Sequence, residues 1–268
     1  MINAIRSELR KYFTTRLWWG MAIGMVVAGA LAAAFFAFTF LRLATVDGGS
    51  DVPFDLDPTQ IANTVYTAAL PSGIYVLPLT IGVLQIGGEY RHKTITSTFL
   101  TTPRRLRALF ATAIALVIIA VLNGLGCLVG SVLAGATTIQ LLGGDPFPAL
   151  EVLRSLSMLL LVMVVWALIG LGAGILIPNQ VAALLIAIGL AWMVEPFIAI
   201  GLSFWDWGAQ NLLQFFPTQA TSAVVNNVDF MSMGAARLEW WAAALILLAY
   251  ALILAGLGIW RASREDVS

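Results

Sequence analysis

One histidine, one cysteine and one acid deep inside an apolar run limit the chemistry open to this chain. His92 stands in a basic, hydroxyl-rich stretch, with no second histidine anywhere. A Ser-His intramembrane hydrolase and a His-rich metal site are both excluded on that ground. Cys127 has no cysteine to pair with and is expected to be a small core residue. Neither Lys11 nor Lys93 follows a glycine, so the phosphate-cradling G-x-x-x-x-G-K-[ST] pattern is absent and the chain cannot use ATP by that route alone. Glu195 is the only ionisable residue deep in an apolar run, which excludes a paired-carboxylate protease. We therefore expect no enzyme, no catalytic residue, and no metal or cofactor held by this chain.

An acid in lipid is costly and for that reason a functional candidate. Glu195, followed by Pro196, either contacts a substrate, caps the break that Pro196 introduces, or reaches the outer interface. A proton relay would need a second titratable group. Asn63, Tyr66 and Thr67 lie near one end of an apolar stretch and Gln85 near the other, with Leu70, Ile74, Leu77 and Ile81 between them on roughly one helical face. That pattern suits a pathway for amphipathic solutes, and equally a helix contact with polar ends.

The elements that must position these residues follow from composition. Of 268 residues 60% are apolar, only 14 are Lys or Arg and 14 Asp or Glu. The mean hydropathy is +0.93. A soluble domain carries about 25% charged residues, so this chain belongs in a bilayer. A helical crossing takes about 20 apolar residues. Six stretches qualify: 17–41, 61–86, 108–134, 156–177, 181–202 and 240–260. No alternation of apolar and polar positions suggests a barrel. The predicted fold is an all-α integral membrane protein of six transmembrane helices, forming one domain over 1–268. The first apolar run, continuing through Phe35, Phe36, Phe38 and Phe40, exceeds the roughly 7–15 residues of a signal core and reads as an uncleaved span.

Basic residues set the orientation. With the N-terminus cytoplasmic, the inner segments hold eleven basic residues against four acids, net +7, and the outer ones three against nine, net −6. Both termini are then cytoplasmic by the positive-inside rule. Seven of the nine tryptophans fall at predicted span ends, the interface such rings prefer, which supports the boundaries independently. Ahead of the first span, Ile2, Ile5, Leu9, Tyr12 and Phe13 share a face, with Arg6, Arg10 and Lys11 beside or opposite, so residues 1–16 read as an interfacial helix. The outer loop 42–60 reads as irregular, whereas the outer segment 203–239 keeps Trp205, Trp207, Leu212, Leu213, Phe215 and Phe216, which suggests short helices at the outer leaflet. Small residues recur four apart at Gly20, Gly24, Ala28 and Ala32, at Gly126, Gly130 and Ala134, and at Gly170 and Gly174, as close helix packing in lipid requires.

The inner loop 88–107 is more patterned than a connector needs to be. It runs Gly88-Glu89-Tyr90-Arg91-His92-Lys93-Thr94-Ile95-Thr96-Ser97-Thr98-Phe99-Leu100-Thr101-Thr102-Pro103-Arg104-Arg105. Here the sequence resembles the membrane subunits of export-type ABC transporters, the type-2 permease family. The resemblance lies in an opening acid, Glu89, then Thr94 and Ile95, then Phe99 and Leu100, and a closing Pro103-Arg104-Arg105. Lys93 departs from it, standing where a glycine is usual.

That resemblance extends in outline over the whole chain. It implies that the loop forms a coupling helix in a groove of a separate ATP-binding subunit, present in two copies with ATP and Mg bound there. It implies a second permease subunit, read as an identical copy, facing this one around a central path. Thr94, Ile95, Phe99 and Leu100 would pack into the ATPase, while Arg91, Arg104 and Arg105 would pair with its acids or with lipid headgroups. The cargo would be a small amphipathic molecule such as a drug, or a lipid, moved outward across a bacterial plasma membrane by alternating access. Nucleic acid is not an expected partner. The competing class is a secondary transporter or a membrane scaffold. A secondary transporter would show an internal repeat and several intramembrane polar groups. No such repeat is clear, and Glu195 stands alone.

Overall fold

The computed structural model describes residues 2–46, 57–91, 105–227 and 237–264. Within them every regular element is helical. In order, α1 is Ile2–Thr14, α2 Leu17–Val46, α3 Pro58–Tyr66, α4 Val76–Arg91, α5 Arg105–Leu141 and α6 Glu151–Leu176. Then come α7, Gln180–Ser203, α8, Asp206–Asn211, α9, Pro217–Val224, and α10, Trp240–Arg264. Five of these, α2, α5, α6, α7 and α10, are long and apolar enough to cross a membrane. The chain is thus an all-α, multi-pass membrane protein.

The sixth predicted span, 61–86, is not one helix. It is α3 and α4 joined by the turns of residues 67–75. The reason lies in Pro71, whose ring would strike the carbonyl of Thr67 four residues back if the helix continued. Gly73 completes the break with φ +82°, a conformation L side chains rarely adopt, and any Cβ there would also meet the Trp192 indole. The freed backbone groups are met locally, by Ser72 N–H to Ala68 O, Ile74 N–H to Ala69 O and Leu79 N–H to Tyr75 O. Residues 62–70 are buried throughout, so this irregular backbone is enclosed by protein, where such a break is tolerated at membrane depth.

α6 is the axis of the bundle. In its most apolar 18-residue window 72% is buried, against 22 to 44% in the other four long helices. α4, α5, α7 and α10 all pack on it, and α2 packs on α5. The α4–α6 contact is backbone to backbone: a Cβ on Gly82 would run into the Ala167 carbonyl, and one on Gly170 into the Leu79 carbonyl. α5, 37 residues long, extends about 55 Å, well beyond a hydrocarbon core of about 30 Å, and packs along α1. Cys127 is fully buried, as its small apolar character suggests.

Candidate functional site

α7 carries the local irregularity from which the site grows. Its middle, Leu190–Val194, is a π-turn in which the Glu195 N–H bonds back to the Leu190 carbonyl. The Ala191 carbonyl would look to Glu195 in an α register or to residue 196 in a π register. The first amide is taken and Pro196 has none. The Tyr75 hydroxyl, from the turn between α3 and α4, donates to that carbonyl at 3.1 Å. Tyr75 also stacks on Trp166 of α6 with centroids 4.3 Å apart, and the Trp166 indole N–H donates to Thr221 Oγ1 at 2.9 Å. The break in the second segment, the bulge in α7 and the short helix α9 are thereby joined around one aromatic pair.

Beside this assembly α7 and α10 both pack on α6 and leave a cavity of about 420 Å³. Its walls include Leu79, Ile169, Leu190, Ile198 and Leu254, and Trp166 closes one side. Among the described residues Glu195 is the only charged one in the lining. Its Oε1 accepts from the Thr218 backbone N–H at 2.7 Å and from Thr218 Oγ1 at 2.6 Å, in the first turn of α9. The two bonds satisfy an otherwise orphan amide at that helix start and fix the carboxylate's orientation. Tyr250 of α10, also in the lining, donates to the Phe215 carbonyl at 3.3 Å. An apolar chamber of this size with one oriented carboxylate suits an apolar molecule bearing a hydrogen-bond donor.

Glu195 caps the start of α9 rather than the break at Pro196, and it lines a cavity. Asn63, Tyr66 and Thr67 do not join it there. Tyr66 donates to the Pro146 carbonyl at 2.7 Å and stacks on Phe147. Thr67 donates to the Asn63 carbonyl at 2.7 Å and accepts from Asn227 Nδ2 at 3.0 Å. Arg237 donates to the Asn227 carbonyl. This buried network ties the start of the broken segment to the 142–150 turn and to the segment before α10.

At the opposite end of α4, Lys11 of α1 lies 2.5 Å from Glu8 Oε1 and 2.6 Å from Glu89 Oε1. Gln85 donates to the other Glu8 oxygen at 3.4 Å. Both acids are buried, Glu8 at 5% and Glu89 at 7% exposure, and the ammonium shared between them helps to make two adjacent carboxylates tolerable. Burial pulls the Lys11 pKa down, but the hydrogen bonds and charges of Glu8 and Glu89 outweigh it and hold the ammonium above the ordinary lysine range. Burial raises Tyr12, against a partial offset from Asn123, which donates to its hydroxyl at 3.1 Å from α5.

Glu89, expected to open the coupling loop, is thus held inward against α1. Arg91 is exposed at the last position of α4. Thr94, Ile95, Phe99, Leu100, Pro103 and Arg104 lie outside the described residues, and Arg105 begins α5. Among the described residues no three metal-ligating side chains converge. Thr218, Tyr75 and Trp166 were not singled out by sequence, since each acts through a partner far along the chain. The Glu8/Lys11 spacing of three on the packing face was a local signal that could have been read.

No protein-family model matches the chain, and no characterised protein matches it at a significant level.

Proposed function

We propose that this chain is the permease subunit of an ATP-driven exporter of the type-2 family, working with a second permease copy and two copies of a separate ATP-binding subunit. The reading rests on one structural observation: the apolar cavity beside α6 with Glu195 in its wall, a chamber suited to a small amphipathic molecule or a lipid tail. The ATP-driven part rests on the resemblance of the inner loop, and both termini are taken as cytoplasmic from the charge asymmetry. In this scheme the partner hydrolyses ATP and moves the loop that follows α4. The Lys11, Glu8 and Glu89 cluster joins the root of that loop to α1, so movement of the loop is passed to the interfacial helix and to α4 together. α4 packs on α6, the wall of the cavity.

The test is to isolate the tagged chain from its native membrane in mild detergent and identify what accompanies it, beside a Phe99→Asp copy. The expected result is an ATP-binding subunit with the wild type that is lost with the variant, while the variant elutes as a folded bundle. The chain alone, with no ATP hydrolysis in any lipid, would replace the proposal with a secondary transporter or a scaffold.

A further inference from the structure

We propose that the cavity among α6, α7 and α10 binds a monocationic amphipath, an ammonium group paired with Glu195 and one apolar body against Leu79, Ile169, Leu190, Ile198 and Leu254. The inference deepens the export reading by naming the class of cargo. The first ground is the state of the carboxylate. Thr218 engages Oε1 twice, and among the described residues nothing hydrogen-bonds Oε2 and no Lys, Arg or His pairs with Glu195. A carboxylate in an apolar wall must either take up a proton or meet a positive partner, and a ligand carrying an ammonium group supplies the second.

The second ground is what the remaining walls reject. The lining is otherwise apolar apart from the Tyr250 and Trp166 side chains, so a metal ion would find one carboxylate oxygen and too few further ligands. An anion would face Glu195 directly, and a neutral hydrocarbon would leave it unpaired. An ammonium N–H answers the free oxygen with a charge-assisted bond while its tail covers the apolar walls. The volume, about 420 Å³, falls in the range of about 300–1,000 Å³ typical of small-ligand sites.

The third ground is access. Leu190, Val194 and Ile198, which line the cavity, remain 53, 43 and 48% exposed along α7, so this wall of the cavity is also an outer surface of a helix long enough to span a bilayer. Glu195 lies eight residues before the end of α7, about 12 Å along the axis. A molecule lying in one leaflet can therefore enter tail-first with its head near that depth. An ammonium N–H is offered by a free alkylamine and, beside a phosphate, by the ethanolamine headgroup of a lipid.

The test uses the full chain, without any ATPase, in phosphatidylcholine nanodiscs, with a diazirine-bearing dodecylamine as photolabel and peptide mapping as the readout. Saturable labelling of α7 and α10 at the cavity, above the lipid-facing surface of α2, is expected. Glu195→Gln should weaken that labelling by about tenfold or more. Its amide oxygen can still accept both Thr218 bonds, so the fold should survive. On the wild type itself, dodecylamine should compete for the label and dodecanoate should not, which keeps the test independent of that variant. Adding phosphatidylethanolamine separates the two sources: suppressed labelling identifies the lipid headgroup, unchanged labelling the free amine. Equal labelling of wild type and Glu195→Gln, equal competition by dodecanoate, or no cavity labelling would overturn the proposal. None of these outcomes depends on whether an ATP-binding subunit copurifies, so either proposal can fail alone.

Discussion

The Tyr75 hydroxyl lies 3.1 Å from the Ala191 carbonyl and donates to it, 116 residues along the chain. One proline thus has its consequence answered by the break that another creates. Pro196 removes the amide that Ala191 would use, and Pro71 forces the turn that carries Tyr75 across to α7. Two segments that each violate helix rules become mutually dependent, and the cavity forms beside their contact.

Tyr75→Phe keeps the ring stacked on Trp166 but strands the Ala191 carbonyl in an apolar setting. The expected loss is about 1–3 kcal/mol, the usual cost of an unsatisfied buried acceptor. Pro196→Ala restores an amide in α7, so Tyr75→Phe should cost less in that background. A double-mutant cycle of unfolding in detergent measures the coupling. Strictly additive losses would show that the hydroxyl does not answer the proline.

Lys11 gives a pH dependence with a definite sign. Its folded-state pKa is raised above the ordinary value of 10.5 by Glu8 and Glu89. Its contribution to docking α1 is therefore fully present below 10.5 and is lost as pH rises through the folded value. The side chain is 49% exposed, so solvent screens the pair and the effect is local docking rather than global stability. A spin label at Ser7→Cys, on the exposed side of α1, should stay immobile from neutrality to just under that value and loosen above it. Lys11→Met should loosen it already at neutral pH. A label equally immobile in Lys11→Met would place the docking elsewhere.

Long uninterrupted apolar runs made α2, α5, α6, α7 and α10 legible, because length and hydropathy suffice for a spanning helix. The run 61–86 is apolar over a span's length but holds Pro71 and Gly73, so a composition window counts a helix where the backbone turns. On α1 the packing face is Ile5, Glu8, Leu9 and Tyr12, whereas Ile2 and Phe13 stay 81 and 42% exposed. Apolar periodicity marks the face offered to the interface; it does not credit Glu8, an acid buried by pairing across the chain. Glu195 was legible as an isolated acid in an apolar run. Its cavity was not, since the walls come from segments between Leu79 and Leu254 with no linear pattern.

The small-residue ridges were legible in part, and they supply a paired test. Among the described residues a Cβ at Gly20 or Gly24 would meet nothing within 4 Å, so these two glycines are not needed for a close approach, while Gly170 on α6 touches the backbone of α4. Helices in lipid associate through such close approach. Gly170→Leu must push α4 from α6, because backbone cannot yield as a side chain can, and should cost about 3 kcal/mol or more. Gly189→Leu on α7 places its Cβ where nothing lies within 4 Å. It should be neutral or gain up to about 1 kcal/mol from helix propensity. Thermal unfolding of the two variants in one detergent compares them directly. A Gly170→Leu protein as stable as wild type would mean that the α4–α6 contact is not what holds the bundle together. A Gly189→Leu protein as damaged as Gly170→Leu would mean that this face of α7 is packed against another copy of the chain in the detergent particle.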